Sequence, residues 1–244
     1  MHQRFRFAIA AELTLLLAGC GQSPNSRPVC PENIHNLGHA TLIYVYAKDQ
    51  FPPAYTTDAS GNRLHSWRTI LLPYMEQQDL FARFKMDEPW NSEHNSPATK
   101  VRPAYLHCPA DDKAGESDTS YVAVVGPGTI WSATRKISMS DIKDGPADTL
   151  LFIEMKNSGI HWAEPRDLEL DNLPPGVTKQ NFGKVLSNHP GGFFAVFADG
   201  HIEFIPSTIP WEQFEAMSTY AGKEIVTRGT WYGPSANAKA PNQQ

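Results

Sequence analysis

The chain has 244 residues, enough for one good-sized domain, and its 41% hydrophobic and 19% charged residues are typical of a folded protein. Its 21 lysines and arginines against 26 aspartates and glutamates give a formal net charge of −5, so we do not expect a nucleic-acid-binding surface. The 20 prolines and 17 glycines argue against a helical bundle. No apolar run reaches the ~18–20 residues of a membrane-spanning helix.

The beginning of the chain predicts an export signal. Arg4 and Arg6 precede a mostly apolar stretch at 7–19, which has the length of a signal peptide's central region. The stretch runs into the sequence LAGC, which resembles the lipobox of bacterial lipoproteins, whose cysteine receives a diacylglycerol and becomes the mature N-terminus. We therefore expect a lipoprotein signal peptide at 1–19 and lipidation of Cys20. The protein would then lie in the cell envelope, held to the membrane by its N-terminal lipid and facing the periplasm or the exterior.

Two other interpretations of this segment stay open. It could be an ordinary signal peptide followed by a chance cysteine. It could also be a degenerate pilin N-terminus, since a glutamate such as Glu12 is typical near the start of the long apolar helix of pilins. The apolar run is short, however, and no glycine precedes Phe7, so the lipoprotein interpretation is favoured.

The cysteines also favour an exported protein. If Cys20 is acylated, Cys30 and Cys108 remain as an even pair in a compartment where disulfides persist, which predicts a disulfide between them. Two unpaired buried thiols are the alternative. A zinc site is not expected, because neither cysteine belongs to a C-x-x-C pair.

The mature chain divides into a tether, one domain and a tail. A polar segment broken by prolines predicts a tether at 20–29, and the last residues are polar enough to predict a disordered tail at 233–244. The residues between them, 30–232, form the predicted globular domain.

The domain begins with a predicted helix of about 18 residues. Ile34, Leu37 and Tyr44 lie along one helical stripe, Pro31 suits the first turn, and the helix should end before Phe51. A second helical piece is predicted at 73–84. Further on the apolar period shifts toward two, which predicts strands at 104–108, 120–125, 149–155 and 193–205.

The last of these segments predicts a β-hairpin, followed by a short helix at 210–221. Asp199 and Gly200 have the composition of a two-residue turn. In that register Ala195 faces Phe204. This register predicts that one face of the hairpin belongs to the core and carries Phe193, Ala195, Phe197, Ile202 and Phe204.

Several sequence blocks stand in a specific order along the mature chain. They are CPENIHNLGHATLIYVYAKDQFPPA at 30–54, HSWRTILLPYMEQQ at 65–78, DEPWNSEHN at 87–95, LHCPAD at 106–111, and His189 followed after nine residues by Asp199 and Gly200. Together they resemble a large bacterial family of pseudopilin-like proteins of unknown function that carry the prepilin-type processing-associated H-x9-DG motif.

This resemblance implies an α+β, pilin-like fold, with an N-terminal helix packed on an antiparallel β-sheet and long inserted loops. It also implies kinship with type II secretion pseudopilins and type IV pilins. Family members usually begin with a prepilin cleavage site and a long apolar helix, which the lipobox replaces here. We therefore expect a non-enzymatic, lipid-anchored cell-envelope protein, a binding or assembly module with an unknown envelope protein partner, rather than a filament subunit.

No catalytic signature is present, and we expect neither enzyme activity nor a cofactor. His189, Asp199 and His201 offer imidazole and carboxylate ligands, so a metal-dependent enzyme or binder using them is the alternative function. The structural interpretation is favoured: His189 holds the loop at 190–192, while Asp199 and Gly200 shape a turn. On that interpretation the motif holds no metal.

Overall fold

The computed structural model describes residues 29–186 and 189–228. The predicted signal peptide, Cys20, the tail at 233–244 and the tether except its last residue lie outside the described residues. In chain order the helices and strands are α1 (Val29–Lys48), β1 (Tyr55–Thr57), β2 (Arg63–Ser66), α2 (Trp67–Ile70), α3 (Gln78–Phe81), α4 (Ser96–Thr99), β3 (Tyr121–Val125), β4 (Leu150–Glu154), β5 (Leu168–Glu169), α5 (Phe182–Val185), β6 (Gly192–Phe197), β7 (Ile202–Pro206) and α6 (Trp211–Ser218).

The main sheet of the described residues has five strands in the order β5-β3-β4-β6-β7. The neighbours among β3, β4, β6 and β7 are antiparallel, and β5 joins the edge parallel to β3. A separate antiparallel pair, β1 and β2, lies outside this sheet. The predicted α+β class is therefore correct.

Helices cover both faces of the main sheet. On one face α1 lies across β4 and β6, and its apolar stripe joins Trp67 and Phe152 in one core cluster. On the other face α5 and α6 bring Phe182 and Phe214 onto Phe193. Because both faces are covered, the central strands are continuous apolar runs rather than alternating ones.

The prediction of the first helix is confirmed. Ile34, Leu37 and Tyr44 are buried against the sheet as the helical spacing requires. A close approach to β6 is possible because residue 38 is glycine: a Cβ at Gly38 would lie 2.7 Å from Cγ2 of Val196. No helix in the described residues combines the length and apolar composition needed to cross a bilayer.

Two predicted elements, a helix and a strand, are wrong. The helix expected at 73–84 is split into a 3₁₀ turn (Leu72–Met75) and α3, because Glu76 adopts a left-handed conformation with φ of +57°. The strand expected at 104–108 is a 3₁₀ turn (Ala104–Leu106), in which buried Leu106 reaches the core without any strand pairing. Its apolar alternation comes from Leu106 and Cys108, both of which point inward.

The predicted hairpin exists, but its register is shifted by one residue. Val196 pairs with Ile202, and the loop has three residues, since the Phe197 amide donates to the His201 carbonyl at 3.0 Å. Gly200, at φ of +89°, supplies the left-handed position that such a loop needs. The shift moves Ile202 and Phe204 to the face opposite Phe193, Ala195 and Phe197. The predicted final helix is confirmed as α6.

Candidate functional site

The most distinctive polar group in the described residues is a cluster of four side chains, which we call the His189 cluster: Cys30, Cys108, Glu154 and His189. Cys30 lies in the first turn of α1, and Cys108 follows the 3₁₀ turn at Ala104–Leu106. Glu154 is the last residue of β4, and His189 stands just before β6. Four segments that are distant in the sequence therefore meet at one end of the sheet.

The two cysteines of the cluster form a disulfide, as predicted, with their Cα atoms 4.9 Å apart. The alternative of two unpaired thiols is wrong. Tyr121 stabilises the first turn of α1 as well, because its hydroxyl donates to the Cys30 carbonyl at 3.2 Å. Asn33 adds a second tie between α1 and the Cys108 segment by donating to the His107 carbonyl at 2.9 Å. The start of α1 is thus held to the Cys108 segment by a covalent bond and a hydrogen bond, and to β3 by the hydrogen bond from Tyr121.

His189 lies against the disulfide and pairs with the Glu154 carboxylate. Its Nε2 is 3.1 Å from Glu154 Oε1 and 3.6 Å from Cys108 Sγ. The other carboxylate oxygen accepts the backbone amide of Phe194 at 2.8 Å, which fixes the carboxylate. Glu154 is 3% exposed, and a buried carboxylate needs such partners to remain charged.

This pairing changes the titration of His189. The hydrogen bond and the charge of Glu154 raise the pKa of His189 above its ordinary value, although partial burial acts in the opposite direction. Below that pKa the His189 imidazolium lies in contact with the Glu154 side chain. His189 is predicted to hold its loop, and its contact with Glu154 shows that the loop is held against the end of β4.

The remaining motif residues lie at the other end of β6. Asp199 Oδ1 accepts the His201 amide at 3.0 Å and lies 2.6 Å from His201 Nδ1, within the turn that contains Gly200. Hydrogen bonds from His201 lower the pKa of Asp199, despite the opposing effect of burial. Six strand residues separate this turn from His189, about 20 Å of extended chain. The structure therefore does not bring His189, Asp199 and His201 together, and the metal site of the alternative function is not assembled.

A second buried polar network lies in the block at 65–78. The guanidinium of Arg68 and the carboxylate of Asp167 form an ion pair at 2.5 Å, with side chains 0% and 2% exposed. Asp167 also accepts Trp67 Nε1 at 3.1 Å and the Ala123 amide at 2.9 Å. Burial raises the pKa of Asp167, and these donors counter the shift. The network joins α2, β3 and the segment before β5, so we assign it a structural role.

Sequence reasoning found three of the four residues in the His189 cluster but missed Glu154. The signal was a carboxylate that ends an otherwise apolar strand, LLFIE at Leu150–Glu154. Such a residue is expected to have a partner, since charged side chains are seldom fully buried alone. The partner itself could not be named, because it comes from another part of the chain.

Chemically, the cluster as it stands is a covalent tie beside an acid–base pair. The sulfur atoms are bonded to each other and are not nucleophiles, since nucleophilic attack requires a thiolate. Its four potential ligand atoms nevertheless lie within 4.8 Å of one another. A change in the oxidation state of the cysteines would expose that ligand set.

Comparison with known proteins gives one similarity. Residues 27–131 match the model of a family described as "Protein of unknown function (DUF1559)". The match includes α1, the block at 65–78 and Cys108, and it ends before β4. No curated protein and no solved structure matches the chain. In its first half, therefore, the chain is similar to a family of proteins of unknown function.

Proposed function

We propose that the protein is a non-enzymatic, lipid-anchored cell-envelope protein whose pseudopilin-like domain is a binding or assembly module. The observation that carries this proposal is the disulfide at the first turn of α1, where Cys30 lies ten residues after Cys20. Disulfides persist in oxidising compartments, which agrees with export. The bond also ties the part of the domain nearest the proposed lipid to Cys108, which is buried.

A pilin-like relationship is part of the same proposal. An N-terminal helix of 20 residues lies across a mainly antiparallel sheet, as the resemblance to pseudopilins implies. The lipobox would replace the apolar helix by which pilins anchor and polymerise. A single lipidated domain that presents its surface to an envelope partner fits this combination better than a filament subunit does.

Lipidation is the first test. We expect the chain produced in a bacterium to be found in the membrane, with mass spectrometry showing a diacylglyceryl group on Cys20 and residues 1–19 removed. The matched variant Cys20→Ser should remain unprocessed or be released in soluble form. A mature, membrane-bound protein that keeps residues 1–19 would contradict the anchor.

Binding without catalysis is the second test. The lipidated protein would be captured from envelope fractions alongside His201→Ala and Asp199→Asn, which alter the exposed turn. We expect a discrete envelope protein to be enriched with all three chains. Loss of that partner from both variants, with an unchanged circular dichroism spectrum, would favour the metal-dependent alternative if a chelator also removes the partner from the wild type and added divalent metal restores it there.

A further inference from the structure

The His189 cluster contains two sulfur atoms, one imidazole and one carboxylate, and the proposed function uses only the bond between the two sulfurs. We propose that reduction of the Cys30–Cys108 disulfide turns this cluster into a closed, tetrahedral Zn²⁺ site. The ligands would be the two Sγ atoms, His189 Nε2 and a carboxylate oxygen of Glu154. This inference goes beyond the envelope role and does not depend on lipidation of the chain.

The distances already present support four-coordination. With metal–sulfur bonds of about 2.3 Å and metal–nitrogen bonds of about 2.0 Å, ligand atoms in a tetrahedron lie about 3.3–3.8 Å apart. His189 Nε2 lies 3.6 Å from Cys108 Sγ and 3.1 Å from Glu154 Oε1. Once the sulfur–sulfur bond is broken, small side-chain rotations of the cysteines suffice to separate the two sulfurs to this spacing.

The surroundings suit a structural zinc ion. Cys30, Cys108 and Glu154 are each 3% exposed or less, so the site is closed to water on the side of the core. Thiolate and imidazole are ligands that favour zinc over calcium or magnesium. The Phe194 amide, donating to Glu154 at 2.8 Å, already holds the carboxylate with its other oxygen toward His189. Such outer hydrogen bonds orient metal ligands in known sites.

The absence of a C-x-x-C pair does not weigh against this site. That pattern produces a local chelate from neighbouring residues, whereas here the ligands come from α1, the Cys108 segment, β4 and the loop before β6. The fold, rather than the local sequence, supplies the spacing. This is why sequence reasoning did not predict zinc.

The chemistry balances with a dithiol reductant. Two electrons pass from the dithiol to the disulfide, the dithiol becomes a disulfide, and each protein sulfur takes up one proton. Zn²⁺ then displaces both thiol protons and binds two thiolates, a neutral His189 and the Glu154 carboxylate. The disulfide and the metal are therefore alternative cross-links at the same place, and in a reduced protein bound zinc would restore the link between the start of α1 and the Cys108 segment.

Metal titration of the full chain tests the proposal. We would use a Cys20→Ser background so that only Cys30 and Cys108 contribute thiols, and reduce it with a phosphine that is then removed. Co²⁺ serves as a probe, because tetrahedral thiolate coordination gives visible and near-ultraviolet absorption bands. We expect the reduced chain to bind one equivalent of Co²⁺, displaced by one equivalent of Zn²⁺, and the oxidised chain to bind none.

Matched variants distinguish this site from adventitious binding by free thiols. We expect His189→Ala and Glu154→Gln to weaken binding to the reduced chain by at least about tenfold. His201→Ala, at the other end of β6, should leave the affinity unchanged. If the reduced chain unfolds without metal, Zn²⁺ should restore its circular dichroism spectrum.

Three results would overturn the proposal. One is the absence of metal binding to the reduced chain. Another is an affinity that does not change in His189→Ala and Glu154→Gln, since that is the behaviour of two thiols in an unfolded chain. The third is equal binding to the oxidised and reduced chains, which would place the metal elsewhere.

Discussion

At the scale of single residues, the ion pair between Arg68 and Asp167 offers the sharpest test of the core. We expect Asp167→Asn to lower the free energy of unfolding by about 3–5 kcal/mol, because it leaves a buried guanidinium without its counter-charge. The matched control is Glu169→Gln, which removes a half-exposed pair with Arg63 at 3.5 Å and should cost at most about 1 kcal/mol. Urea unfolding of both variants measures the difference, and equal losses would contradict the role of burial.

His189 gives a prediction about pH. Its folded-state pKa is raised by Glu154, so its contribution to stability is fully present below its unfolded pKa, near 6.5, and is lost as the pH rises through the higher folded pKa. We therefore expect wild type to lose stability relative to His189→Gln as the pH rises from below about 6.5 through the folded pKa. Urea unfolding at several pH values measures this difference.

His161→Gln is the control for that experiment. Burial lowers the pKa of His161, so its contribution has the opposite sign, and wild type should gain stability relative to this variant as the pH rises. A parallel trend in both variants would mean that the contact between His189 and Glu154 does not set the titration.

The role of a single residue could be predicted from the sequence only where its contacts are with neighbouring residues. The roles of Asp199 and Gly200 follow from turn chemistry that is visible in neighbouring residues. The partners of His189 and Arg68 could not be predicted, because Glu154 and Asp167 lie 35 and 99 positions away along the chain. No pattern of spacing encodes contacts of that length.

At the scale of elements, Gly38 sets the distance between α1 and β6. Alanine in a helix interior is normally more stable than glycine by about 1 kcal/mol. Here a Cβ would lie 2.7 Å from Cγ2 of Val196, a branched and fully buried side chain. We expect Gly38→Ala to destabilise the protein by about 1–3 kcal/mol in urea unfolding.

A double-mutant cycle with Val196→Ala isolates this contact. In the Val196→Ala background the added methyl group has space, so Gly38→Ala should become neutral or stabilising. If Gly38→Ala raises the free energy of unfolding both in wild type and in the Val196→Ala variant, α1 does not approach β6 so closely.

The apolar periodicity of the sequence predicted some of the helices and strands correctly. α1, β3 and β4 follow from clear apolar patterns, and all three occur as predicted. The hairpin register was missed because Asp-Gly suits both a two-residue turn and the last positions of a three-residue loop. One residue of difference moves Ile202 and Phe204 to the opposite face. The apolar pattern of β7 does not distinguish the two registers, because helices cover both faces of the sheet and an apolar side chain is at least partly buried on either face.

At the scale of the whole molecule, the disulfide closes a loop that contains β1, β2 and the block at 65–78. Closing a span of 78 residues restricts the unfolded chain by about 4–5 kcal/mol. We expect the Cys30→Ala, Cys108→Ala double variant to lose a stability of that order. Its dependence on urea should also steepen, because an unfolded chain without the cross-link exposes more surface.

This last measurement is made in a Cys20→Ser background with a chelator present, so that neither a third thiol nor a bound metal affects the result. The reduced protein with intact cysteines should then resemble the double variant, and Zn²⁺ added in excess over the chelator should stabilise only the reduced protein, by mass action on the folded state. Equal stability and equal urea dependence with and without the disulfide would mean that the unfolded chain is already as compact without the cross-link. In that case the covalent tie at the start of α1 would add nothing to the stability of the domain, whereas bound Zn²⁺ would still stabilise the reduced folded state by mass action.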